Sequence, residues 1–93
     1  ELTISPRTRG VSKDGTGMHL TAMEFDLLLF LASHPGQVFT GEELMHKVWD
    51  YTTPVDCSTV TVHIRRLREK VEGYPWKPTY IKTVWGVGYK FEA

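Results

Sequence analysis

The 93-residue sequence predicts an α+β domain in which a small N-terminal antiparallel meander precedes three helices and a β-hairpin closes the chain. Three features lead there. Thr21 with Glu24, and Thr40 with Glu43, have the spacing of capping boxes, in which a hydroxyl caps the free amides of a first helical turn and a carboxylate reaches back to the cap. Val60, Ile64, Leu67 and Val71 fall at i, i+4, i+7 and i+11, the period of one helical face packed on a core. Two β-branched and aromatic runs, Tyr80 to Val84 and Tyr89 to Phe91, flank Gly86 and Gly88 as the arms of a hairpin.

Taken in order, Leu2 to Ser5 alternates apolar with polar residues, Thr8 to Ser12 is a second extended stretch, and Asp14-Gly15 is a turn signal before Met18 to Leu20. Thr21 opens the first helix, whose run Phe25 to Ala32 is apolar enough to be largely buried, and His34-Pro35-Gly36 stops it. Thr40 opens a short helix carrying Leu44, Met45, Val48 and Trp49. Asp50 to Val55, with Thr52, Thr53 and Pro54, reads as a loop. Asp56 is the N-cap of the third helix, which runs to about Glu72 and stops at Gly73. A proline-rich link, Tyr74 to Pro78, then leads into the hairpin. A short helix, a loop, a longer helix and a hairpin make a winged helix-turn-helix with a longer loop than the usual tight turn.

The third helix carries the functional signal. On a wheel of about 100° per residue, Ser58, Thr59, Val62, His63, Arg65 and Arg66 gather away from the apolar stripe, with Arg68 and Lys70 on its flanks. A core needs none of them. Arginine bonds guanine in a bidentate way and valine touches a thymine methyl, so this face suits a DNA major groove. The plain alternative is a solvated helix surface in which Glu69 and Glu72 pair with the arginines. A second alternative is a winged helix used for protein contacts alone, which should lack arginines on that face.

Composition sets bounds. With 41% hydrophobic and 12% aromatic residues, the chain suits one folded domain, residues 1–93, with no room for a second. No apolar run is long enough for a membrane span and no signal peptide is evident, so a cytoplasmic setting without membrane contact is expected. The single Cys57 cannot form an internal disulfide and lacks clustered zinc partners; no metal or cofactor is expected. A chain opening at Glu1 within a strand reads as a piece of a longer protein. The zero net charge hides a segregation, because Ala22 to Asp56 holds one basic and six acidic residues while Cys57 to Ala93 holds seven basic and three acidic. A DNA surface therefore belongs on the back half, leaving the acidic front for another partner.

At these residues the chain resembles a family. LTAMEFDLLLFLASHPG (Leu20 to Gly36), TVTVHIRRLREK (Thr59 to Lys70) and TVWGVGYKF (Thr83 to Phe91) are together similar to the DNA-binding effector domain of OmpR/PhoB-type response regulators of bacterial two-component systems, over essentially all 93 residues. The resemblance implies that the helix Asp56 to Glu72 enters the major groove, with Thr59, Val62, His63, Arg65, Arg66 and Arg68 touching bases or phosphates. It implies a wing that touches the adjacent minor groove, where Trp85 stands in place of a frequent arginine and Lys82, Thr83 and the Gly86 backbone are further contacts. Ser58 likewise replaces a common arginine. The loop Asp50, Tyr51, Thr52, Thr53, Pro54, Val55 matches the family's RNA polymerase contact. The implied partners are double-stranded promoter DNA with direct repeats bound by two copies head to tail, RNA polymerase, and an N-terminal receiver domain that carries the phosphorylated aspartate and is absent here; with no coiled-coil heptad, the isolated domain is expected to be a monomer.

Enzymatic readings are weak. Cys57 and His63 lie six residues apart on one helix, too far for a nucleophile and base at about 1.5 Å rise per residue. Gly86-Val87-Gly88 has neither a following helix nor a Lys-Ser/Thr pair, so it is a turn and not a phosphate loop. His19, His34 and His46 have no ligand spacing, and Trp49 and Trp76 read as core or lid residues.

Overall fold

The computed structural model describes residues 2–49 and 56–92. Its elements are β1 (Leu2–Ser5), β2 (Gly10–Lys13), β3 (Thr16–Met18), α1 (Ala22–Ala32), α2 (Gly41–Val48), α3 (Cys57–Val71), β4 (Ile81–Val84) and β5 (Gly88–Phe91). The first three strands form an antiparallel meander and the last two a separate hairpin. This is the expected α+β winged helix-turn-helix, with shifted strand edges. Asp14 and Gly15 both take positive φ, 50° and 84°, giving the two-residue turn that matches strand twist. Lys13 thus pairs directly with Thr16, and β3 begins there instead of at Met18. Arg9, at φ 58°, turns the chain before β2, which therefore starts at Gly10 and not at Thr8.

Both capping boxes form. Thr21 Oγ1 accepts the Glu24 amide at 3.2 Å while the Thr21 amide donates to Glu24 Oε1 at 3.0 Å, and Thr40 with Glu43 repeats the arrangement at 3.0 and 2.9 Å. The core follows the periodicity: Phe25, Leu27, Leu28 and Leu31 of α1 and Leu44 of α2 pack with Val60, Ile64, Leu67 and Val71 of α3, all buried. Ile81 and Phe91 bring the hairpin into the same cluster.

The hairpin is also bonded to the segment between α1 and α2. Phe39 and Tyr89 exchange two backbone hydrogen bonds of 2.9 Å, and the Gly36 amide donates to the Phe91 carbonyl at 2.8 Å. A Cβ on Gly88 would lie 1.9 Å from the Phe39 carbonyl oxygen, so only glycine lets the two backbones meet. At the wing tip, the Val87 amide closes a turn on the Val84 carbonyl at 2.9 Å, with Gly86 at φ 78°.

Candidate nucleic-acid interface

The start of α3 is fixed by Asp56. Its carboxylate accepts the Ser58 amide at 3.0 Å and the Thr59 amide at 3.3 Å, and also the Ser58 hydroxyl. The Ser58 hydroxyl, followed by the Thr59 and Ser58 amides, holds the Asp56 carboxyl below its ordinary range. Ser58 thus commits its proton to the cap. His63 is half-buried: Nδ1 faces the Thr59 carbonyl at 2.8 Å, and the ring sits edge-on to Trp49 with centroids 5.1 Å apart. With Nδ1–H donating there, Nε2 of the neutral ring has only a lone pair, so a bond from His63 to a phosphate requires the imidazolium.

Arg65 and Arg66 are exposed, and among the described residues neither makes an ion pair with a carboxylate. Glu72, expected beside the arginines, is buried instead and accepts the amides of Thr79 at 2.9 Å, Tyr80 at 3.0 Å and Ile81 at 2.8 Å. It stitches the end of α3 to the start of β4, which delays β4 to Ile81. Thr59 and Val62 are half-buried beside the arginines. Thr61 is exposed and shares a cleft of about 310 Å³ with Arg65, Arg68, Thr83 and Trp85. Sequence reasoning passed over Thr61, although a wheel places it on the flank of Arg65 and Arg68, the flank that meets the wing.

Three cations expected at DNA have partners within the molecule. Arg68 Nε donates to the Ile81 carbonyl at 3.0 Å and Nη2 to Thr83 Oγ1 at 2.7 Å, so this guanidinium ties helix to wing. Burial lowers its pKa below the ordinary guanidinium range, against the opposing pull of Tyr89 and Glu72. Lys70 is held more firmly. Its Nζ lies 2.6 Å from Oε1 of the buried Glu24, joining α3 to the cap of α1. Burial raises the pKa of Glu24, but the hydrogen bonds from Lys70 and Thr21 outweigh it and the net shift is downward. Lys82 Nζ meets Glu92 at 2.7 Å, and Lys90 meets the other oxygen of Glu92 at 2.9 Å; the two ammonium groups lower the Glu92 carboxyl to about 2.

Trp85 stands at the wing tip, 89% exposed, between Val84 and the positive-φ Gly86, so its indole does not fold back onto the hairpin. Trp49 is buried as expected, but Trp76 is 80% exposed, which overturns its reading as a core or lid residue. The loop residues Asp50, Tyr51, Thr52, Thr53, Pro54 and Val55 lie outside the described residues. Among the described residues, no helix is long and apolar enough to cross a membrane.

A third helix that turns outward two arginines without an ion-pair partner among the described residues, beside an exposed hairpin, defines a winged-helix module of the DNA-binding class. The chain matches the family described as "Transcriptional regulatory protein, C terminal" over residues 15–91 and belongs to it. It is a DNA-binding effector domain of the OmpR/PhoB response-regulator type, a family of transcription regulators and not of enzymes. It is 51% identical over 90 residues to the DNA-binding response regulator MtrA of Mycobacterium tuberculosis, covering 97% of this chain and 40% of that protein. The response regulator DrrB of Thermotoga maritima, an OmpR/PhoB homologue, superposes with a TM-score of 0.93 at 41% identity, covering 99% of this chain and 42% of that one. The RstA DNA-binding domain of Klebsiella pneumoniae, solved in complex with the RstA box, gives 0.81 at 35% identity, covering 98% of this chain and 90% of that one. The chain thus spans about 40% of the length of the first curated relatives it matches.

Proposed function

We propose that this domain reads a specific sequence in double-stranded promoter DNA, with α3 in the major groove and the β4–β5 wing near the minor groove. The observation that carries the reading is the state of Arg65 and Arg66. The alternative of a salt-bridged surface needs carboxylates that pair with them; Glu72 is spent on the backbone at Thr79 to Ile81, and among the described residues the exposed Glu69, one turn on, makes no ion pair with either. Two exposed guanidinium groups on the outward face of α3 are available for bidentate contact with guanine edges. Arg66, beside Val62 and His63, reads bases. RstA, whose DNA-binding domain was solved in complex with the RstA box, supports a duplex ligand.

The wider role is that of a two-component transcription regulator working in the cytoplasm as the effector of an N-terminal receiver domain. Two copies bind head to tail on direct repeats about one helical turn apart, 34–36 Å, and the isolated domain is a monomer. Asp50, Tyr51 and the rest of the loop to Val55 contact RNA polymerase. A reconstituted transcription assay tests this division of labour: Asp50→Ala with Tyr51→Ala lowers promoter output and leaves DNA affinity intact, whereas a parallel loss of affinity refutes it.

The test of DNA reading is to select bound sequences from a random duplex pool, then titrate salt with wild-type and Arg66→Ala protein. Arg66→Ala loses about 1 to 3 kcal/mol on the selected site and flattens the preference over scrambled DNA. Equal discrimination by both proteins contradicts the assignment.

A further inference from the structure

Among the described residues, four large apolar side chains are exposed: Tyr74, Trp76, Trp85 and Val87. Two of them belong to one cleft. Trp76 and Trp85, with Pro75, Pro78 and Lys82, line a trough of about 390 Å³ between the link after α3 and the wing. Its neighbour, the cleft between α3 and the wing, shares Pro75, Arg68 and Trp85 and continues to Arg65. Among the described residues, no carboxylate lines either cleft. The Trp76 side is held in place. The Lys77 amide closes a turn on the Tyr74 carbonyl at 2.9 Å, Pro75 fixes the backbone inside that turn, and the Tyr74 ring lies 5.4 Å from the Trp76 ring. Glu72 anchors the far end of the link through Thr79 and Tyr80.

We propose that the turn Tyr74 to Lys77 is a second DNA contact, in which Trp76 and Trp85 bracket the sugar–phosphate backbone of the strand flanking the site read by α3. The proposal rests on the duplex-DNA reading above. Exposed aromatic patches mark interaction surfaces, and the lining selects the occupant: two indoles offer apolar faces for deoxyribose and N–H donors for phosphate, and the charged groups lining the two clefts among the described residues are the cations Arg65, Arg68 and Lys82, of which Arg65 has no carboxylate partner while Lys82 also meets Glu92. The trough adjoins the cleft that carries Arg65 and shares Arg68, Pro75, Thr83 and Trp85 with it, which gives a strand leaving the major groove a continuous path along both.

Because sugar and phosphate contacts carry no sequence information, Trp76→Ala weakens binding to the selected duplex and to a scrambled duplex of equal length alike, by about threefold to tenfold. The indole is uncharged, so the salt slope stays unchanged. With the ring exposed, the melting temperature stays unchanged too. Trp76→Phe restores part of the affinity. Hydroxyl-radical footprinting of wild-type protein shows protected sugars beside the recognition site, and Trp76→Ala loses that protection. If wild-type protein leaves those sugars unprotected, or if Trp76→Ala binds as wild type while Arg66→Ala loses its preference, the second contact is wrong and the DNA reading stands. If neither substitution affects binding, both fall. If Trp76→Ala instead abolishes self-association of the DNA-free protein and keeps the footprint, the patch is an interface between copies and the proposal is overturned.

Discussion

Arg66 and Arg68 lie two positions apart on α3 and do opposite work. Arg66 is exposed and faces outward, whereas Arg68 donates to the Ile81 carbonyl and the Thr83 hydroxyl. Removing Arg68 orphans a carbonyl and unpins the wing. Arg68→Ala therefore lowers stability by about 1 to 3 kcal/mol, the range for a charged hydrogen bond to a partly buried acceptor, and weakens all duplexes alike. Chemical denaturation and gel shifts on cognate and scrambled DNA check both effects. Trp85 is the contrasting case. Its exposure means that Trp85→Ala weakens DNA binding with no change in melting temperature. Trp85→Arg tightens binding and steepens the salt dependence by about one phosphate equivalent, because an arginine suits a narrow minor groove. A melting temperature that falls with Trp85→Ala contradicts the free placement of the ring.

The element scale separates what can be read from the sequence from what cannot. Capping boxes, the type of the Asp14-Gly15 turn and the Val60–Val71 stripe depend on residues within a turn or two of one another, so local spacing reveals them. Lys70 meets Glu24 across 46 residues and Arg68 meets Thr83 across 15, so their pairing depends on helix packing that no local pattern encodes. The same limit applies to Trp76, since composition assigns a tryptophan to the core and a proline-fixed turn holds it outside. Glu72 is the clearest instance: a residue expected on a charged surface is the buried acceptor that joins α3 to β4. Glu72→Ala leaves backbone donors at Thr79, Tyr80 and Ile81 without their acceptor and costs about 2 to 4 kcal/mol by denaturant titration. A loss below about 0.5 kcal/mol, as at a featureless surface position, refutes the stitch.

In the wing, Glu92 binds Lys82 and Lys90 and titrates at about 2, below its ordinary 4.5. A lowered folded pKa means that its stabilisation is present above about 4.5 and fades as pH falls toward about 2. Melting curves of wild type and Glu92→Gln should therefore converge across that window. At neutral pH, Glu92→Gln frees two ammonium groups, raising DNA affinity and steepening its salt slope. Parallel pH profiles for the two proteins, with no gain in affinity, contradict this role.

For the whole molecule, electrostatic segregation follows the fold. The acidic residues of α1 and α2 are largely used at caps and in ion pairs, as Glu24, Glu43 and Asp26 show. The basic back half builds α3, the link and the wing, which turn Arg65, Trp76 and Trp85 toward adjoining clefts. The neutral total therefore conceals a cationic, aromatic side on a scaffold whose front half is consumed by its own helices. The most direct check is amide and indole chemical-shift mapping by NMR while a selected duplex is titrated into the isotope-labelled domain. The account predicts large shifts along the exposed face of α3 from Ser58 to Arg66 and across Thr83 to Gly88, with the β1–β3 meander nearly still. Shifts concentrated on the meander or α1, with the Arg65 and Arg66 amides unmoved, would contradict it.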